Sequence, residues 1–227
     1  MKRKYKIILI VLISAILTYL IYFFNKNEKI SIVALGDGIA SGETSYNIDG
    51  ISFNDYIKEY YDSKKLLKNY DNKYAFKNYK INDLINDLKN NNLHEDEDLF
   101  IKQILHNASL ITISIGEEEL VKLAITKDLD TDYLKKFINE YDDLMYLLKD
   151  ITEAKIVLVG FYENKYLDKG KVIILNSELS NIAIKYQAIF INISDLMLNK
   201  DFYVNDNSFY FNYKGHKEIA EMIIHSI

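Results

Sequence analysis

Short apolar runs rich in Ile and Val recur along the chain, and each is typical of a buried strand. The four runs are Ile30–Leu35, Leu110–Ile115, Lys155–Val159 and Ala188–Ile193. Between and after them, apolar residues recur at helical spacing within residues 53–61, 81–88, 134–148, 172–186 and 214–227. Strands that alternate with helices predict a parallel sheet covered on both faces, and therefore a three-layer α/β/α sandwich.

A different pattern opens the chain, where residues 7–24 form an uncharged apolar run. As a helix this run would be roughly 27 Å long, which is close to the hydrocarbon thickness of a bilayer. The stronger positive charge precedes the run, at Lys2, Arg3, Lys4 and Lys6. We therefore predict a single-pass anchor in the cell membrane, with the N-terminus cytoplasmic and the body outside.

A cleaved signal peptide is the alternative interpretation of this segment. Such peptides have a shorter apolar region and a cleavage site of the type Ala-x-Ala. Here the run ends in Tyr22, Phe23 and Phe24, and no Ala-x-Ala follows. The sequence favours an uncleaved anchor, which divides the chain into residues 1–29 and a single domain over residues 30–227.

Composition excludes several classes of function. The chain contains no Cys, so it has no disulfide, no thiolate metal site and no Cys nucleophile. Residues 1–29 carry six of the 28 basic residues and one of the 33 acidic residues, so the domain over residues 30–227 carries a net charge of about −10. Because such a body repels phosphate backbones, we expect no nucleic-acid partner.

The loops that follow the predicted strands are where function is expected, since open α/β sheets bind ligands beyond the carboxyl ends of their strands. Those loops begin with Gly36-Asp37-Gly38, with residues 116–119 (GEEE) and with residues 160–162 (GFY). The loop before the last helix adds residues 205–207 (NDN).

Four segments resemble conserved blocks of the SGNH (GDSL-type) hydrolases, in the order of that family. Residues 32–43 (IVALGDGIASGE) resemble block I, and residues 73–88 (KYAFKNYKINDLINDL) resemble block II. Residues 108–120 (ASLITISIGEEEL) resemble block III, and residues 207–223 (NSFYFNYKGHKEIAEMI) resemble block V. The resemblance covers about residues 30–227 and implies an SGNH/flavodoxin-like sandwich.

The resemblance also implies acyl-ester hydrolysis by a Ser–His–Asp triad with an oxyanion hole. This sequence departs from that pattern at every catalytic role. The positions that match the nucleophile, the base, the triad Asp, the block II Gly and the block III Asn are Gly38, Tyr210, Asn207, Asn78 and Glu118. We therefore expect a pseudoenzyme that retains the scaffold and not the chemistry.

Other residues near these loops are candidates for the cleft: Asp37, Ser41, Glu117, Glu119, Asn212 and His216. Ser41 offers a hydroxyl without a predicted base, so a structural role is favoured. The acidic residues can in principle hold Mg²⁺ or Ca²⁺ or act on a glycoside, but acids at a helix start also stabilise that helix. We expect no resident metal and no cofactor.

Three hypotheses for function remain open. The first is a catalytically inactive, membrane-anchored protein that binds a cell-envelope glycan, an acylated ligand or a protein partner through the altered cleft. The second is a divergent esterase or acylhydrolase acting on envelope esters. The third is a carboxylate- or metal-dependent enzyme on the same scaffold.

Overall fold

A five-stranded parallel sheet forms the centre of the molecule. The computed structural model describes residues 29–44, 50–94, 98–117, 119–120, 131–163, 169–203 and 210–227, together with residues 5, 11–14, 16 and 17. The strands are β1 (Ile30–Gly36), β2 (Leu67–Ala75), β3 (Leu110–Ser114), β4 (Lys155–Val159) and β5 (Ile189–Ile191). They pair in the order β2-β1-β3-β4-β5, so the predicted α/β fold with a parallel sheet is confirmed.

Helices cover both faces of this sheet. They are α1 (Gly38–Ser41), α2 (Phe53–Ser63), α3 (Ile81–Asn90), α4 (Ile101–His106), α5 (Thr131–Ile151), α6 (Lys169–Lys185) and α7 (Tyr213–Ser226). One core cluster joins the sheet to α3, α4, α5 and α6, and a second joins it to α2 and α7. Two short 3₁₀ turns, Leu196–Leu198 and Lys200–Phe202, precede α7.

Alternation of side chains along the strands produces the two core clusters. In β1, Ile32 packs with α2 and α7, whereas Val33 and Leu35 pack on the opposite face. In β4, Val157 likewise packs with α2 and α7, and Ile156 packs on the opposite face. Strands that are buried on both faces have continuous apolar sequences, and for this reason the hydrophobic pattern predicted β1 and β4.

The strand β2 is absent from the sequence prediction, which placed four strands and not five. Its sequence, LKNYDNKYA, has no run of Ile or Val, and its first four residues are exposed or half-buried. β2 lies at an edge of the sheet and pairs only with β1 among the described strands. Lys and Asn are common on edge strands, where they discourage pairing with other chains.

The predicted anchor, residues 7–24, falls mostly outside the described residues. Of that run the structure describes only residues 11–14, 16 and 17, and all of these are exposed. Within the described part of the chain, no helix is both long enough and apolar enough to cross a bilayer.

Candidate functional site

The turn that follows β1 is held by a buried carboxylate, Asp37. Its Oδ1 accepts a hydrogen bond from the Ile39 N–H at 3.3 Å, and its Oδ2 accepts one from the Glu117 N–H at 2.8 Å. Asp37 therefore joins the carboxyl ends of β1 and β3. Burial raises the pKa of Asp37 to about 7, although the backbone N–H donors act in the opposite direction.

The position that matches the family's nucleophile, Gly38, is surrounded by carboxylates. A Cβ placed on Gly38 would lie 2.5 Å from Oε2 of Glu43 and 2.9 Å from Oε2 of Glu117. The two oxygens are therefore within about 5.4 Å of each other, the most that these two distances allow. The space that a serine side chain would occupy is filled by two acidic groups.

Tyr210, which matches the catalytic base, is bonded to one of these acids. Its hydroxyl donates to Oε1 of Glu117 at 2.7 Å. Burial, reinforced by the neighbouring carboxylates of Glu117 and Glu43, raises the pKa of Tyr210 well above its usual range. The phenol therefore keeps its proton and acts as a hydrogen-bond donor, which is the reverse of the role of a general base.

Glu43 is the member of this cluster that sequence reasoning missed. The left-handed turn at Gly42 (φ 85°) returns the chain over α1, and the Glu43 N–H donates to the Gly38 carbonyl at 2.7 Å. Lys77 forms an ion pair with Glu43 at 3.4 Å. The only available signal was that Glu43 is the last residue of the block I resemblance.

Two other predicted residues take structural positions beside the cluster. The Ser41 hydroxyl donates to the Gly38 carbonyl at 3.2 Å, so it serves the short helix α1. Asn78 is exposed and left-handed (φ 58°), a conformation that Gly adopts freely and Asn tolerates. The alignment of Asn78 with the block II Gly stays a prediction.

Asn212 and His216 belong to the packing of α7. Asn212 caps this helix, because its Oδ1 accepts hydrogen bonds from the N–H groups of Lys214 and Gly215. His216 is 2% exposed and lies between Phe53 and Phe211, with ring centroids 6.4 and 6.1 Å away. Neither residue lines the pocket at Asp37 and Glu117.

Of the three predicted site residues that remain, the structure describes only Glu119. Glu118 and Asn207 lie outside the described residues. Glu119 is buried, and its carbonyl accepts a hydrogen bond from the Tyr133 hydroxyl at 3.3 Å. Across the described ranges, no group of three His, Cys, Asp or Glu side chains is arranged to hold a metal ion.

A small cavity of about 20 Å³, with room for about one water molecule, lies at the carboxyl ends of β1, β3 and β4. Its walls combine acidic, aromatic and aliphatic groups: Asp37, Ile39, Ser114, Ile115, Glu117, Leu120, Gly160, Phe161 and Tyr162. The lining therefore mixes apolar side chains with two acidic ones.

Comparison with known proteins supports the fold. No protein-family model matches the chain, and no curated protein matches it in sequence. Solved structures do match, with TM-scores of 0.61 to a psychrotrophic esterase from Pseudoalteromonas sp. and 0.63 to a lipase/acylhydrolase from Enterococcus faecalis. Sequence identities are 16% and 12%, over 87% of this chain in each case and 96% and 95% of those chains.

An acetylxylan esterase from Geobacillus stearothermophilus gives a similar match, with a TM-score of 0.63 and 15% identity over 88% of this chain and 95% of that one. Catalytic mutants of that esterase, in which a Ser or a His is replaced by Ala, match equally well, with TM-scores of 0.63 and 0.64. The chain thus has an SGNH-hydrolase-like fold, as its sequence blocks predicted.

Proposed function

We propose that this protein is a membrane-anchored binding protein on an SGNH-hydrolase-like scaffold, with its body outside the cytoplasm and no Ser–His–Asp ester hydrolysis. The observation that carries the proposal is the position of Gly38. Two carboxylate oxygens, from Glu43 and Glu117, lie within 3 Å of the place where a nucleophile's Cβ would stand.

Three features around Gly38 oppose ester hydrolysis. Gly38 has no hydroxyl to attack an acyl carbon, and the Tyr210 proton is directed at Glu117 instead of being available for exchange. Acyl transfer also develops negative charge on the carbonyl oxygen, which nearby carboxylates would destabilise. Loss of a complete triad lowers turnover by about 10⁶ in a serine protease.

The pocket favours a ligand with hydroxyl groups. Phe161, Tyr162 and Asp37 line the cavity but are buried, and the half-buried Glu117 adds a carboxylate. Sugar hydroxyls donate to carboxylates while the apolar side of a sugar ring packs on aromatic rings. Because the cavity has room for about one water molecule, the ligand would lie across its mouth and not inside it. A cell-envelope glycan suits such a surface better than an acyl chain, which needs an apolar cavity of its own size.

Hydrolysis is tested with an aryl acetate and the soluble body, residues 29–227. The wild type should hydrolyse it at the buffer rate. A matched variant restores the family residues by Gly38→Ser, Asn207→Asp, Tyr210→His and Glu118→Asn, with Glu43→Ala to remove the side chain that would lie closest to the new serine. Wild-type turnover that Ser41→Ala abolishes would overturn the proposal.

Binding is tested separately, by calorimetric titration of the same body with purified envelope polysaccharide. Glu117→Gln keeps the size of the side chain and removes its charge, so it should weaken binding if sugar hydroxyls donate to that carboxylate. Identical affinity for wild type and variant would remove the pocket from the binding site.

A second candidate function is glycoside cleavage by two carboxylates. The Oε2 atoms of Glu43 and Glu117 are at most about 5.4 Å apart, an upper limit that does not exceed the separation of about 5–5.5 Å between the two carboxyl groups of retaining glycosidases. Release of an aryl leaving group from aryl glycosides, abolished by both Glu43→Gln and Glu117→Gln, would favour this function over binding alone.

A further inference from the structure

The end of the sheet opposite the pocket carries a cluster of lysines where the chain enters the body. We call Lys29, Lys64, Lys65 and Lys68 the basic patch. β1 and β2 bring them together, because Ile30 pairs with Leu67 and the Ile30 N–H donates to the Leu66 carbonyl at 2.7 Å. All four lysines are exposed, and Asp62 is the one acid among residues 62–68.

The basic patch contrasts with the rest of the body. The domain over residues 30–227 has a net charge of about −10, and the opposite end of β1 leads to the acidic groups Asp37, Glu43 and Glu117. The positive charge is local to the β1–β2 side of the end where the chain enters, because the exposed acids Asp150 and Glu153 lie beside the starts of β3 and β4.

Chain geometry places the basic patch beside the predicted anchor. Only residues 25–29 separate Phe24, the last residue of the apolar run, from Ile30, the first residue of β1. Even fully extended, that connection reaches roughly 20 Å. The basic patch therefore lies within reach of the membrane surface whenever the anchor is inserted.

We propose that the basic patch docks on an anionic phospholipid surface and holds the pocket on the far side of the body. This inference rests on the proposed membrane anchor. Clusters of four to eight Lys or Arg directly cytoplasmic of a membrane helix bind anionic headgroups, and the same electrostatic attraction acts on any anionic bilayer face. Because β1 is seven residues long, docking would keep the pocket roughly 20 Å farther from the bilayer than the basic patch.

The docked orientation has a consequence for the ligand. A pocket that faces away from the bilayer meets soluble or wall-attached polymers and not the acyl chains of membrane lipids. Docking therefore deepens the proposed function, since it favours a polymeric envelope glycan over a lipid.

The absence of Trp from the chain makes the orientation measurable. Ser63→Trp places a unique fluorophore beside the basic patch, and Tyr213→Trp places one at the pocket end, where Tyr213 is 61% exposed. Each full-length variant is reconstituted into phosphatidylcholine vesicles with or without phosphatidylglycerol. A spin label on the lipid headgroup then quenches any Trp close to the surface.

The expected result is strong quenching of the Trp at position 63 in phosphatidylglycerol vesicles and weak quenching at position 213. Lys64→Glu with Lys68→Glu should remove the quenching, since each lysine near an anionic surface contributes about fivefold to the docking equilibrium. Lys200→Glu with Lys214→Glu makes the same charge change at the pocket end and should have no effect.

Flotation of the vesicles distinguishes failure of the docking proposal from failure of the proposed anchor. Protein that floats with the vesicles but shows equal quenching at the two positions, or none, would overturn docking while the anchor stands. Protein that does not float with the vesicles would overturn the anchor, and the docking proposal with it.

Discussion

The buried histidine of α7 makes the stability of the fold depend on pH. His216 is 2% exposed, and neither of its ring nitrogens has a hydrogen-bond partner among the described residues. Burial between Phe53 and Phe211 lowers the pKa of His216 to about 4, although the Asp55 carboxylate acts in the opposite direction. The folded protein therefore holds this imidazole neutral.

The sign of the pH dependence follows from proton binding by His216 in the unfolded and folded states. Between pH 4 and pH 6.5 the unfolded chain binds a proton at position 216 and the folded protein does not, so the free energy of unfolding rises with pH across this window. At 1.36 kcal/mol for each unit of pKa, the full change is about 3 kcal/mol. Natural domains have total stabilities of about 5–15 kcal/mol, so the effect is measurable.

The perturbation is His216→Leu, and the assay is urea unfolding of the body, followed by far-UV circular dichroism from pH 4 to pH 7.5. Leu removes two buried nitrogen atoms, whose burial without partners costs about 1–3 kcal/mol. At pH 7.5 the variant should therefore be at least as stable as wild type. At pH 4 its advantage should be larger by about 3 kcal/mol.

The difference between the two proteins is the quantity to compare, because Asp37 contributes in the opposite sense. Its pKa of about 7 lies above the ordinary 3.8, so the folded state keeps that proton and its contribution falls as pH rises through 7. This contribution is common to wild type and variant and cancels. His225→Gln, which removes an exposed imidazole at the end of α7, is the control. A wild-type minus Leu difference that does not change with pH would refute the reasoning.

Two further substitutions test the packing around the pocket. Gly36→Ala places a Cβ 1.9 Å from the Ser114 carbonyl oxygen at a φ of 144°, so urea unfolding should show a free energy of unfolding lower by about 4 kcal/mol or more. In the control Gly50→Ala the closest contact of the new Cβ is 3.0 Å, and the loss should be less than about 1 kcal/mol. Tyr210→Phe removes the hydroxyl that donates a hydrogen bond to Glu117, so it should lower the free energy of unfolding by about 1–2 kcal/mol in the same assay. The control Tyr213→Phe, at an exposed position, should leave it unchanged. Equal stability of the two Phe variants would contradict the Tyr210–Glu117 contact.

Three of the four strands that sequence analysis located are buried on both faces. β1, β3 and β4 are continuous apolar runs, since helices cover each side of the sheet at its centre. β2 is an edge strand whose exposed positions carry Lys and Asn, so its pattern resembles that of a loop. β5 is shorter than the apolar run that predicted it, because only Ile189–Ile191 pair with β4.

The candidate site was predictable where residues follow strands directly. Asp37 and Glu117 meet because parallel strands end at the same edge of a sheet. Glu43 depends on the left-handed turn at Gly42, which a residue pattern does not encode. The helical spacing of His216 indicates that it shares a face with the apolar residues of α7, but it does not reveal whether that face meets the pocket or α2.

The survival of Gly36 and Asp37 beside a substituted nucleophile has a physical explanation. Gly36 lies against the Ser114 carbonyl at a φ that other residues rarely adopt, and Asp37 holds two backbone N–H groups from separate segments. Both residues are therefore required for β1 and β3 to end together, whatever residue follows them. The Gly36-Asp37 pair therefore indicates the fold and not the activity. The activity depends on the next position, where Gly38 lies beside two carboxylates.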